Sequence, residues 1–363
     1  MKIKKIAAIV LAAVMAIASL AGCSTARPET AASYNGGSVA AGVYIFNQLT
    51  ALSDAYSRIS NPYLSGINVL DQKLDGVTIE QWVIDRAAEA TRIHAAVKSE
   101  AERLGVKLDE ETINSIKSEV EFAWETAGSY YDALGISKEA AAEVTEINFL
   151  ADKLFDAYYG EGGTDEVPVD ELKSYFDYNF RRCMMVVVSL IDAATGAPLT
   201  EEQQAAAKEA YAAYKDYIAN GTSMLDITYL ELQRMNDMMG VTDPIPVLSE
   251  EQAEMLFMRD GAGYPQGLSD MIFTDGIEMN KPLFYEDDQY LVIFEVHELD
   301  KDGTAFESYK PTLLSMLKTV DFTDKIKAAS ESIGFTPSAD FGKAFPVRAI
   351  LMAQSKEQAK AQQ

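Results

Sequence analysis

Apolar residues recur at helical spacing through most of the first 160 positions. Val43, Phe46, Leu49 and Leu52 predict a helix from Ala40 to about Ser60, stopped by Asn61-Pro62. Thr78 is placed to cap a second helix, in which Ile79, Trp82, Val83, Ala87, Ala90, Ile93, Val97 and Leu104 form one stripe before Gly105. Two more follow, Asp109 to about Ala127 (Ile113, Ile116, Val120, Trp124 inward) and Ser137 to Tyr159 (Ala140, Val144, Ile147, Leu150, Leu154, Tyr158). Gly160-Glu161-Gly162-Gly163 breaks the pattern. Before all of these, Ser33 to Val39 reads as an extended segment with a tight turn at Asn35-Gly36.

The period changes at residues 176–192. A short helix, Glu171 to Tyr178, runs into the most strand-like stretch of the chain, Cys183 to Ile191. A loop at 193–198 leads to Thr200-Glu201-Glu202-Gln203, a capping box that opens an Ala-rich helix ending at Asn220-Gly221. From Gly221 to Pro246 no period stands out, and Met235, Met238 and Met239 are read as core in preference to a pliable contact surface. Ser249-Glu250-Glu251-Gln252 is a second capping box, for a helix through Met258. Gly261 to Gly267 is a loop without the strand-before, helix-after setting of a phosphate cradle. Gln289 to His297 is a second strand, Ala305–Thr319 and Phe322–Ile333 are two helices, and Phe335 begins an extended tail whose last ten residues are read as disordered. The fold class expected is α+β: a helical domain, discontinuous in sequence, with a small α/β unit inserted into it.

The first 22 residues have the character of an export signal. Lys2, Lys4 and Lys5 precede an apolar run from Ile6 to Leu20, shorter than the roughly 20 residues that span a bilayer. Leu20-Ala21-Gly22-Cys23 then matches a bacterial lipobox, which predicts lipidation of Cys23 and an address on the outer face of the cytoplasmic membrane. Ser24 to Ser33 is small and polar, as a tether would be.

Charge and cysteine count narrow the chemistry. The formal charge is -25, and loss of the three leader lysines makes it more negative, which argues against a nucleic-acid partner. With Cys23 lipidated, Cys183 has no partner for an intramolecular disulfide and reads as a small buried hydrophobe. His94 and His297 lie far apart, His94 beside an apolar stripe as a structural residue, and no Cys/His spacing for zinc exists. No Gly-x-Ser-x-Gly or nucleotide-binding loop occurs, so no cofactor or metal is expected.

Signal, lipobox, N-terminal helices, Val169-Asp170-Glu171-Leu172-Lys173-Ser174-Tyr175-Phe176, strand, Gly196-Ala197-Pro198-Leu199-Thr200-Glu201-Glu202, helix and closing strand occur in that order. In this the chain resembles the PrsA-like foldase lipoproteins, relatives of the SurA-like chaperones, in which a parvulin-type peptidyl-prolyl isomerase domain is inserted into a helical chaperone body. The resemblance implies a leader (1–22), a lipidated tether (23–33), a helical chaperone domain (34–175), a parvulin-like domain (176–303), closing helices (304–345) and a tail (346–363). Parvulins carry Arg-x-x-His-Ile-Leu in their first strand and Gly-Tyr-His-Ile-Ile in their last. Met185 stands at the first histidine position and Leu291 at the second, and His297 lies six residues further on.

Prolyl isomerisation breaks no bond; it lowers a barrier of about 18–20 kcal/mol by favouring the twisted amide. The resemblance implies a polar centre beneath an apolar proline pocket, and Met185 and Leu291 cannot make its hydrogen bonds. The expectation is therefore a tethered chaperone for unfolded exported polypeptides with a catalytically degenerate parvulin-like domain. Met271, Phe273 and Phe284 are its candidate peptide contacts. An active isomerase using other residues and a solute-binding lipoprotein are the alternatives. The oligomeric state is left open.

Overall fold

The computed structural model describes residues 28–59, 68–192, 195–261 and 263–361. The leader, Cys23 and the expected helix stop at Asn61-Pro62 lie outside them. The chain forms two compact units, one made of the residues up to Glu166 together with those from Lys318 onward, the other of Val167–Leu317. The architecture is α+β and mostly helical.

The first unit is built on four helices, α1 (Ala41–Arg58), α2 (Ile79–Leu104), α3 (Glu110–Leu134) and α4 (Lys138–Tyr159). Thr78, Asp109 and Ser137 each accept a backbone N–H at a helix start, and Gly105 and Gly135 take left-handed conformations at helix ends. Helix α3 extends past Ala127 because Tyr130, Tyr131 and Leu134 continue its inward stripe. Strands β1 (Thr30–Tyr34) and β2 (Gly37–Ala40) form the hairpin that Asn35-Gly36 predicts.

The C-terminal residues return to this core. Strand β3 (Thr336–Pro337) pairs with β1, and Ser338 N–H donates to Ala31 O at 2.9 Å. Phe341 stacks on Tyr44 with ring centroids 4.2 Å apart, and Gln48 Nε2 donates to Phe345 O at 2.8 Å. The stretch expected to be an extended tail with its last ten residues disordered instead carries a helix, α5 (Arg348–Ala361), which buries Ile350 and Ala353. Its apolar spacing is short and sits among polar residues, so the period is hard to see in sequence.

The second unit opens with α6 (Val169–Asn179), which feeds strand β4 (Phe180–Ser189). Four strands form an antiparallel sheet in the order β5-β4-β7-β6, where β5 is Glu254–Met258, β6 Leu283–Glu286 and β7 Tyr290–His297. The two expected strands are its central pair. Their continuous apolar runs follow from cover on both faces. On one face Met184, Val186, Val188, Leu291 and Ile293 pack against α7 (Glu201–Ala219) and α8 (Met224–Met239). On the other, Cys183, Val292, Phe294, Val296 and Phe257 pack against α9 (Gln266–Ile272) and Phe273.

Three expectations change in this unit. The second capping box forms, but its helix is only Glu250–Ala253, because Glu254 turns extended to pair with Met184. Residues 224–239 are a helix, with Met224 and Ile227 buried; Met235, Met238 and Met239 are not core but 37%, 51% and 60% exposed. The two final helices are one, α10 (Thr304–Ser332), since nothing between Thr319 and Phe322 stops a helix.

Gly42 lies where α1 approaches α4; a Cβ there would stand 2.7 Å from the Ala140 Cβ. Alanine favours a helix by about 1 kcal/mol over glycine, yet overpacking here costs about 1–3 kcal/mol. Gly42→Ala is expected to lower the denaturation midpoint, read by fluorescence of Trp82 and Trp124, which both lie in this unit.

Glu143 Oε1 accepts from His94 Nε2 at 3.1 Å and from Lys98 Nζ at 2.6 Å. Burial pushes the Glu143 carboxyl up, but these two partners outweigh it and hold it at about 2. A depressed carboxyl stabilises the fold above its ordinary value near 4.5 and loses that contribution as pH falls towards 2. This group's contribution, about 3 kcal/mol, should be lost from the wild type across that window, while Glu143→Gln should be less stable at pH 7 and flatter with pH. Urea titrations between pH 2 and 7 measure both curves.

Candidate functional site

The ladder between β4 and β7 fixes which side chains can meet. Met185 pairs with Phe294, Val187 with Val292 and Val188 with Leu291. Because cross-strand partners share a face, Met185 faces α9 and Leu291 faces α7 and α8. The pairing of Met185 with Leu291 as two positions of one centre is thus corrected: they lie on opposite sides of the sheet. Val292, one residue along, shares the face of Met185.

That face is apolar throughout its middle. Met185 is half-buried among Val187, Val292 and Phe294, and Cys183 is fully buried, its thiol pushed up to about 12 by burial. A thiol held protonated in this way is no nucleophile at neutral pH. At its margin Tyr285, which pairs with Val292, donates its hydroxyl to Asp287 Oδ2 at 2.7 Å.

The candidate peptide contacts divide between the faces. Met271 is half-buried and Phe273 buried on the side of Met185. Phe284 is half-buried on the side of Leu291, with Lys215 Nζ 5.1 Å from its ring centre. They do not form one pocket. Beside Leu291 a groove of about 690 Å³ is lined by Lys208, Tyr211, Lys215, Asp216, Glu286 and Asp287. Lys215 donates to Glu286 at 3.0 Å and holds that carboxyl below its usual range, so the groove wall is self-paired.

His297 belongs to a separate cluster where β4, β5 and β7 lie side by side. Its Nδ1 is 2.5 Å from Glu254 Oε1 and its Nε2 3.1 Å from Glu295 Oε2. Arg182 donates to Glu254 at 3.3 Å and to Leu299 O at 3.2 Å. Burial pushes Glu254 up, but His297 and Arg182 outweigh it and lower it. Both ring nitrogens face carboxylates, so the cluster ties the three strands together. Among the described residues no group of three or more His, Cys, Asp or Glu side chains is arranged to hold a metal.

Phe273 carries a feature that sequence reasoning missed. Arg181 and Arg259 both stack on its ring, their guanidinium carbons 4.7 and 4.2 Å from the centroid. Arg259 also lies 4.3 Å from the ring centre of Tyr178. Alternation gives the signal: Arg181 is two residues before Cys183 and so extends the face of Met185 beyond its apolar middle.

No family model and no curated protein matches the chain. Among solved structures it is similar to the foldase protein PrsA from Lactococcus lactis, at 13% identity and a TM-score of 0.37, over 88% of this chain and 98% of that one. It is also similar to the foldase protein PrsA from Streptococcus pneumoniae (13%, TM-score 0.33, 76% and 96% covered) and to PrsA from Bacillus subtilis (13%, TM-score 0.25, 75% and 84% covered). At this identity and superposition the likeness assigns no role to any residue here.

Proposed function

We propose that the protein is an extracytoplasmic chaperone, tethered through lipidated Cys23, that holds unfolded exported polypeptides, and that its inserted sheet unit has no prolyl isomerase activity. The observation that carries the holding function is the exposed methionine surface of α8. Met235, Met238 and Met239 project from its last turns, followed by Val241 and by Val247 at 92% exposure. Unbranched, polarisable methionines repack against varied apolar partners, which suits a binder of many sequences. Leaving them in water offers the fold nothing, so a partner is the physical reason to keep them there.

Loss of isomerase activity is supported by the face of Met185. A twisted amide is stabilised by donors and acceptors aimed at it, and Met185, Val187, Val292 and Phe294 supply none. Hydrophobe in that position instead strengthens the sheet's packing on α9. A solute-binding lipoprotein would use two similar α/β lobes; the described residues contain one four-stranded sheet and two smaller ones.

Replacing Met235, Met238 and Met239 together by serine tests the holding surface. Exposed side chains contribute little to stability, so the melting temperature should stay within about 1–2 °C of wild type. Affinity for an unfolded client should fall by about fivefold per side chain, read as lost aggregation suppression. Undiminished suppression by a folded triple variant would remove α8 from the account.

A further inference from the structure

The ring that the resemblance assigns to an apolar proline pocket is covered by positive charge. Phe273 is only 6% exposed, and what stands over it is Arg181 and Arg259. Acidic residues outnumber basic ones 56 to 31, and most arginines of the chain sit against a carboxylate, Arg103, Arg182 and Arg234 among them. Arg181 and Arg259 do not: among the described residues neither has a carboxylate oxygen within ion-pair distance. Asp177 and Asp275 attract Arg181 only from further away.

Both guanidinium groups are nevertheless held in place. Arg181 Nη1 donates to Asp177 O and Phe180 O, each at 2.7 Å. Arg259 Nε donates to Tyr178 O at 3.2 Å. Both guanidinium carbons lie over the Phe273 ring, and among the described residues Nη2 of Arg181 and both terminal nitrogens of Arg259 have no protein acceptor. Burial and the charge of Arg259 both hold Arg181 below the usual guanidinium range, so the two cations oppose each other. A ligand that accepts hydrogen bonds from planar forks and carries negative charge answers both conditions.

We propose that Arg181 and Arg259, stacked on Phe273 and Tyr178, form a binding site for an oxyanion. The shared chemistry is a carboxylate or phosphate oxygen pair. Its two sources are the terminal carboxylate of a polypeptide, which rests on the client-binding reading above, and phosphate, which does not.

The test uses the full-length protein in detergent and three probes: an N-acetylated apolar pentapeptide with a free terminal carboxylate, the same peptide amidated, and inorganic phosphate. Arginine Nε–Hε resonances of the wild-type protein report which guanidinium responds, and calorimetry gives affinities. The expected result is that the free-carboxylate peptide or phosphate shifts the resonances of Arg181 and Arg259, with affinity that falls as salt rises. Arg259→Gln is expected to weaken that affinity at least about tenfold, and Arg259→Lys to restore only part of it, because it keeps charge without the fork.

A preference of tenfold or more for the free carboxylate over the amide identifies the polypeptide terminus as source. Phosphate binding without that preference identifies phosphate, and the site stands in either case. If neither anion moves these resonances, or if binding survives Arg259→Gln, the proposal fails. Since the resonances are read on the wild type, misfolding of a variant does not shelter it. Aggregation suppression measured on the same preparations is independent, so failure of the oxyanion site and failure of client holding are told apart.

Discussion

The pairing of Arg182–Ser189 with Tyr290–His297 is the constraint on which the inserted unit depends. It joins residues about a hundred positions apart, and α7, α8 and α9 pack on one side or other of the two strands. Side chains alternate with period two, so a slip of one residue would exchange the two cores. One end of the ladder resists a slip: Arg182 and His297 are opposite one another and joined through Glu254. A polar clamp there helps hold an apolar middle in one register.

That register also sets what each face can do. The side of Leu291 is filled by α7 and α8 and gives core, with a self-paired groove at its margin. The side of Met185 is apolar in the middle and cationic at one end, where two arginines take over the ring of Phe273. A face built this way favours contact and charge recognition over the stabilisation of a twisted amide. The proposed holding surface, the exposed thioethers at the end of α8, lies outside both cores.

Helices with strong caps and long stripes were legible from sequence. Thr78, Asp109, Ser137 and Thr200 start helices where their side chains accept backbone N–H groups. The central strands were legible because both faces are covered and their middles are runs of apolar residues. Edge strands β5 and β6 were not: they are short and half-exposed, and the capping box at Ser249 points to a longer helix than the pairing of Glu254 permits. The exposed methionines misled for a plain reason, since composition does not distinguish a core thioether from a surface one. The site was the least legible part. Met185 and Leu291 were chosen by motif spacing, which does not reveal facing, and only the ladder shows that they point apart. Arg181 and Arg259 meet through tertiary pairing, which no local pattern records.

The central claim is that this protein holds polypeptide without catalysing rotation about the prolyl bond. The most direct test is a protease-coupled prolyl isomerisation assay on the full-length protein, run beside suppression of aggregation of an unfolded client. The account predicts suppression with isomerisation no faster than the uncatalysed rate of tens to hundreds of seconds. Catalysed isomerisation would contradict the reading of the Met185 face, and absence of both activities would contradict the chaperone itself.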